Sequence, residues 1–459
     1  MSVRADRKSS LIIVTLFFVA LWAIFQFVFP YHLALKERYV LFMSDPSWLA
    51  TYFTKPAPLS FIASDWLTQF FVIPRVAPLV TTVLLFVFWA GCRHLLGLWA
   101  LLPVALLAFI MLSPGVPLAV LIAACLFVWL FAAAFRIRNK VLRYVTVVLL
   151  AVLLVPTVRS LATNARVEKP GVAREYDYRI HFMAGSGNWD AVAEMGCRNP
   201  HQSLVTSYYY NLSQARADQL PDGLLKAYQP AYHGLFIPVK PGVPCFELMA
   251  STDALYMAGD YAQAQHSAML GMTFSPRQRS AAMIKALSDI AFANGDYDTA
   301  RRYLTMLSKT ALYRKWAREG LQLLDAETDR LAVKNDCRDI LVQHNDYRTA
   351  LANIAGTASD GKKATDYLLC LDLLDKDLAH FRQDYDTFYK GKYDVIRVPS
   401  LYQEALLMTF DENTSPAGQL TAYGISRKTL DDCTEFLKGN ESLFRNSYWF
   451  YHKYAQPAQ

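Results

Sequence analysis

The residues best suited to chemistry gather just after the first apolar run of this 459-residue chain: Lys36, Glu37, Arg38 and Asp45, with Asp65 and Arg75 farther along the same segment. A carboxylate such as Glu37 or Asp45 working as a base, with Arg38 or Lys36 neutralising a pyrophosphate leaving group, is what a membrane glycan transferase would apply to a lipid-linked donor. The competing reading is structural, a set of charges that solvates a loop beside lipid headgroups. No other cluster has catalytic spacing. The nine histidines are scattered without HExxH or HxH, and neither GxxxxGK[ST] nor GxSxG occurs. No metal and no cofactor is expected, and on enzyme or non-enzyme the balance leans to non-enzyme.

Of the seven cysteines, Cys92 and Cys125 fall in or beside apolar runs, where cysteine behaves as a small apolar residue. Cys197, Cys245, Cys337, Cys370 and Cys433 are far apart without a CxxC, so zinc is not expected. Their pairing is left open between buried thiols and disulfides, with Cys197 and Cys245 as the first pair to test.

The elements that must position the cluster are apolar helices. Apolar residues make up 54% of the chain and charged ones 19%, which excludes disorder. The charge is unevenly divided: residues 1–162 carry 13 Lys/Arg against 4 Asp/Glu, a net +9, and the rest carries −2. Basic residues between long apolar runs are a topology signal and not a nucleic-acid face, so no nucleic acid is expected. Five spans are expected, at 10–30, 77–91, 95–112, 116–135 and 141–158, with an external loop at 31–76. The second and third are short enough to form a hairpin dipping into the bilayer. No charge lies within the first four, which disfavours an ion-coupled transporter. With the N-terminus inside, the short cytoplasmic segments hold eight Lys/Arg (Arg4, Arg7, Lys8, Arg93, Arg136, Arg138, Lys140, Arg143) against four in the outer loop. An odd number of spans then exports everything after residue 162. Within the loop, Phe61, Ile62, Trp66, Leu67, Phe70 and Phe71 are spaced as on an interfacial helix, either re-entering the next span or lidding a lipid-facing cavity.

Residues 163–459 read as a helical-repeat domain. Gly187-Asn188-Trp189, Gly259-Asp260-Tyr261 with Ala264, and Gly295-Asp296-Tyr297 with Ala300 place their aromatics 72 and 36 residues apart, near the tetratricopeptide period of about 34. Gly ends one helix, Asp or Asn caps the next, and the small Ala admits close packing. A fourth copy, Asn345-Asp346-Tyr347 with Ala350, breaks the period. Tyr208, Tyr209, Tyr210, Tyr228, Tyr232 and Phe236 suit either a concave binding groove or a core.

LTQFFVIP from Leu67, RRYLTMLSKTALYRKWA from Arg301, DYLLCLDLLDKDLAHF from Asp366 and LYQEALLM from Leu401 resemble an uncharacterised bacterial family, of Bacteroidetes type, whose members join a multi-span N-terminus to a tetratricopeptide-like C-terminal region. The resemblance implies an all-α fold, polytopic transmembrane helices followed by a tetratricopeptide-like helical solenoid, and a place in the envelope; it implies no catalytic residue. The expectation is an integral inner-membrane protein, N-terminus cytoplasmic and C-terminal domain periplasmic, in contact with the lipid bilayer and with envelope protein partners in assembly or transport. The alternative is a membrane glycan transferase or ligase whose solenoid recruits the acceptor. Oligomeric state stays open.

Overall fold

Long runs of Leu, Val, Ala and Phe satisfy their backbone N–H and C=O groups without water only as helix. The computed structural model describes residues 2–165, 167–331, 346–357, 361–393, 397–410 and 416–455. It is 76% helix, and no strand occurs among the described residues. The first helices are α1 (Ser2–Ala23), α2 (Pro30–Arg38), α3 (Pro46–Ala50), α4 (Pro58–Thr68), α5 (Val76–Leu96), α6 (Leu101–Met111), α7 (Ala119–Phe135) and α8 (Lys140–Thr163). α1 continues as a π turn, Ile24–Val28, and stops before Pro30, which lacks the N–H to extend it and instead opens α2.

Among the described residues three segments are long and apolar enough to cross a membrane: Ser10–Val28, Val76–His94 and Lys140–Thr163. The second is longer than the sequence suggests because Cys92-Arg93-His94 continues the helix. Arg93 lies over the Trp89 ring at 5.2 Å, and the helix yields only at Gly97, whose φ is +58°. The third and fourth expected spans coincide with shorter apolar helices, Gly97–Met111 and Ala119–Phe135. At 1.5 Å per residue these are about 22 and 26 Å long, against about 30 Å of bilayer hydrocarbon.

By contact the chain forms two units, neither continuous in sequence. The first comprises Met1–Tyr178, Met272–Phe292 and Asp296–Asn335; the second comprises Arg179–Gly271, Ala293–Gly295 and Asp336–Gln459. In the first unit Val14 and Phe18 of α1, Leu85 and Phe88 of α5, Val104 and Met111 of α6, and Leu121 and Ile122 of α7 share one core. α8 differs: only 6% of its apolar window is buried, against 44% for α5. Polar contacts fix which helix ends lie together. Lys36 Nζ donates to the carbonyls of Ser113 (2.5 Å) and Val116 (2.6 Å) in the turn between α6 and α7. Lys55 Nζ donates to Asn164 Oδ1 at the end of α8 (3.1 Å), and Gln69–Val72, just before α5, packs on α2. The end of α1, the start of α5, the α6–α7 turn and the end of α8 therefore share one end of this bundle. Beyond it, Leu41 and Met43 enter a second core with Ala281, Ile284, Leu304, Ala317 and Leu324, so part of the 31–76 segment is core and not loop.

The motif residues do locally what their types demand. Gly187, Gly259 and Gly295 have φ of +76°, +84° and +78°. Asn188 accepts from Ala191 N–H, Asp260 from Gln263 N–H and Asp296 from Thr299 N–H at 3.0–3.3 Å. Tyr261 packs back on Tyr256 and Tyr297 on Phe292, each pair with ring centres 5.6 Å apart, and Ala264 and Ala300 are fully buried. Trp189 departs from this, lying under Arg216 at 5.0 Å. Asp346 caps Thr349 N–H beside Tyr347, while Asn345 lies outside the described residues. The device recurs at Lys376-Asp377, where Lys376 takes φ +61° and Asp377 accepts from His380 N–H (3.0 Å).

In the second unit the Tyr208–Tyr210 run belongs to the core, which decides between core and groove for these three residues. Tyr208 OH donates to Ala250 O (2.6 Å), Tyr209 OH to Asp253 (3.1 Å) and Tyr210 OH to Gly223 O (2.9 Å). Phe236 is buried too, and stacks on Tyr347. The Cys197–Cys245 disulfide is not formed. Cys197 is an exposed thiol, Cys245 is buried with Sγ donating to Gly271 O, and Cys337 lies outside the described residues.

Candidate functional site

α2 carries Lys36, Glu37 and Arg38, and its first turn is capped from afar. The backbone N–H groups of Tyr31 and His32 donate to the Glu175 carboxylate at 2.8 and 3.0 Å, and His32 Nδ1 meets Glu175 Oε2 at 2.5 Å. Lys36 and Glu37 are both buried. Burial outweighs the field of Glu168 and brings Lys36 down to about 7. Burial also raises Glu37, against the opposing effects of Arg38 and of Tyr313, whose hydroxyl donates to Oε1 at 2.9 Å. Glu37 Oε2 has no hydrogen-bond partner, and the Arg38 Nε is 3.9 Å away.

α4 is turned inside out. Ser60, Ser64, Asp65 and Thr68 are buried together with Phe61, whereas Leu59 and Trp66 are 68% and 50% exposed. Asp65 accepts from Tyr52 OH (2.6 Å) and from Arg277, which also lies over the Phe61 ring at 4.9 Å. Burial raises the Asp65 pKa against the pull of Arg277. Arg277 is buried in turn, and its Nε and Nη2 have no partner. It lines, with Lys36, Ser64, Thr68 and Gly115, a cavity of about 20 Å³, close to the room one water needs.

Asp45 is the N-cap of α3. It accepts from Ser47 N–H (3.0 Å) and Oγ (2.5 Å) and pairs with Lys309 (2.9 Å), which together hold its carboxyl well below the usual range. Arg38 gives its carbonyl to Ser280 Oγ (2.5 Å), and Arg75 is exposed with φ +72° at the head of α5. The six charges therefore do not converge on one substrate-sized cavity. Lys36 lines the cavity beside Arg277, Asp65 is bound by Arg277, Glu37 faces Tyr313, and Asp45 faces Lys309. Their partners Arg277, Lys309 and Tyr313 escape sequence reasoning because they stand 212 to 276 residues away without a shared motif.

The second unit holds an open polar pocket of about 440 Å³ lined by Asp222, Lys226, Arg397, Ser400 and Glu404. Asp222 accepts from Ser400 N–H (2.9 Å), and burial pushes Glu404 up to about 7 although Tyr448 N–H donates to it. Among the described residues no group of three His, Cys, Asp or Glu side chains is placed to hold a metal.

Fold and contacts define an all-helical protein whose described residues include three helices of membrane-crossing length and apolarity, a hint of membrane association. The chain belongs to a family of unknown function (DUF6057), whose model matches residues 7–164 and 157–455. No curated protein and no solved structure matches it.

Proposed function

We propose that this chain is an integral protein of a bacterial inner membrane that presents a tetratricopeptide-like helical array on the periplasmic side, where it binds protein partners in envelope assembly or transport. The observation that carries this reading is the engagement of the loop charges. Glu37, Asp45 and Asp65, the carboxylates a transferase would use, are bound by Tyr313, Lys309 and Arg277, which ties the 31–72 segment to the turns around 277 and 309–313. The helical-repeat reading is supported by the Gly-Asx-aromatic turns, which set antiparallel helix pairs of the kind that stack. Extracytoplasmic placement is supported by the bundle geometry: three or five crossings give the same side for residue 165. Photo-crosslinkers placed in the full-length chain at exposed apolar residues of the second unit, Leu437 and Leu443, should capture discrete envelope proteins in cells; capture of none contradicts the reading.

The transferase reading keeps one observation in its favour, the Lys36 amine and the Arg277 guanidinium lining a common cavity. On that reading Glu37→Ala and Asp45→Ala abolish a glycan phenotype; on the scaffold reading they change stability alone.

A further inference from the structure

Between α7 and α8 runs a crevice of about 300 Å³, with Val120, Ala124 and Phe127 on one wall and Leu154, Val158 and Ala162 on the other. Its lining is carbon almost throughout, and the small alanines on both walls are what leave it open. At roughly the 30 Å³ share of a water, it has room for on the order of ten methylene groups. Val158 is 53% exposed, so the crevice is reached from the flank where α8 has almost no protein against it. That flank faces lipid if the chain is membrane-embedded, and the inference rests on that part of the proposed function.

One end of the crevice carries charge. Ala165 and Val167 line it there, next to Asn164, which binds Lys55 Nζ at 3.1 Å. Lys55 is half-buried, 5.5 Å above the Phe61 ring, and beside Arg277 and Arg279. Asp65, the acid acting on it among the described residues, is already bound by Arg277 and Tyr52. Around Lys55 the cations outnumber the carboxylate, which leaves a positive surplus beside that end of the hydrocarbon slot. We infer that the crevice takes one acyl chain of an anionic phospholipid whose phosphate is held by Lys55. A zwitterionic headgroup brings its own cation into the same surplus and fits worse.

The test uses the full chain, purified in detergent, stripped of lipid, and exposed to vesicles of phosphatidylcholine mixed with phosphatidylglycerol of identical chains, with retained lipid read by native mass spectrometry. Phosphatidylglycerol should be retained roughly fivefold over phosphatidylcholine, the preference that one lysine near an anionic headgroup supplies. Lys55→Gln should bring the two lipids level without lowering the total. Ala124→Phe should lower the retention of both; if that variant does not fold, Ala162→Leu at the opposite wall gives the same reading. Equal retention of both lipids by the unaltered chain, unchanged retention in the filled variants, or complete displacement by inorganic phosphate overturns the inference while leaving membrane embedding intact. Retention of neither lipid overturns both.

Discussion

Lys36 and Glu37 adjoin in sequence, yet one is held by backbone carbonyls of the α6–α7 turn and the other by a tyrosine 276 residues away. Tyr313→Phe leaves the buried Glu37 without its donor and should cost about 1–3 kcal/mol in unfolding free energy. Glu37→Gln keeps an acceptor for Tyr313 and should cost less; equal losses contradict the assignment. A second test lies in the second unit, where Arg348 reaches both Asp372 (3.2 Å) and Asp384. Burial first and the neighbouring Asp384 second push Asp372 up to about 8. The folded state thus keeps a proton that the unfolded chain releases near pH 4, so stability falls as pH rises from there through about 8. Asp372→Asn should flatten that fall in thermal unfolding between pH 5 and 8, and an unchanged slope refutes the shift. At this scale the sequence was informative about which loop residues matter and silent about their roles. Lys36, Glu37, Asp45 and Asp65 stand out by type, but a carboxylate facing a substrate and one facing Tyr313 have the same local sequence.

Helix boundaries were largely legible, because apolar run length, Pro and Gly act locally. α7 and α8 fall where the composition put them, and the capping turns at 187–189, 259–261 and 295–297 form as their residue types require. Two features were not legible. The turn at Lys376-Asp377 has no glycine to announce it, since Asp377 supplies the cap and lysine tolerates the left-handed position. α4 reads as an aromatic interfacial helix, but Arg277 and Tyr52 draw its polar side inward and leave Leu59 and Trp66 outside. The turn chemistry itself can be tested. Gly259→Ala meets only ordinary contact with Ile354 at 3.8 Å, so its expected cost of about 1–2 kcal/mol comes from the positive φ alone. Asp296→Ala should cost about 1 kcal/mol through loss of the cap. Unfolding temperatures that do not move in either variant contradict the motif's role.

For the whole molecule, the charge split and the shared helix ends of the bundle are what support the proposed placement. Arg93 in the last turn of α5, Arg136 and Arg138 on the α7–α8 link, and Lys140 and Arg143 in the first turn of α8 lie at the end opposite the Lys36 junction, as the proposed cytoplasmic face requires. What sequence could not supply is the contact by which 272–292 and 296–335 join the N-terminal unit, because that association runs through dispersed residues such as Leu41, Met43 and Ile284. It also means that a fragment beginning at residue 163 loses part of a core, so topology is best read on the full chain. Cys197 allows this without insertion: it is an exposed thiol, while Cys92, Cys125, Cys245 and Cys370 are buried. A membrane-impermeant maleimide applied to intact spheroplasts should label the protein, and Cys197→Ser should lose most of that label. Labelling of Cys197 only after detergent opens the membrane would contradict an extracytoplasmic helical domain and the partner-binding role built on it.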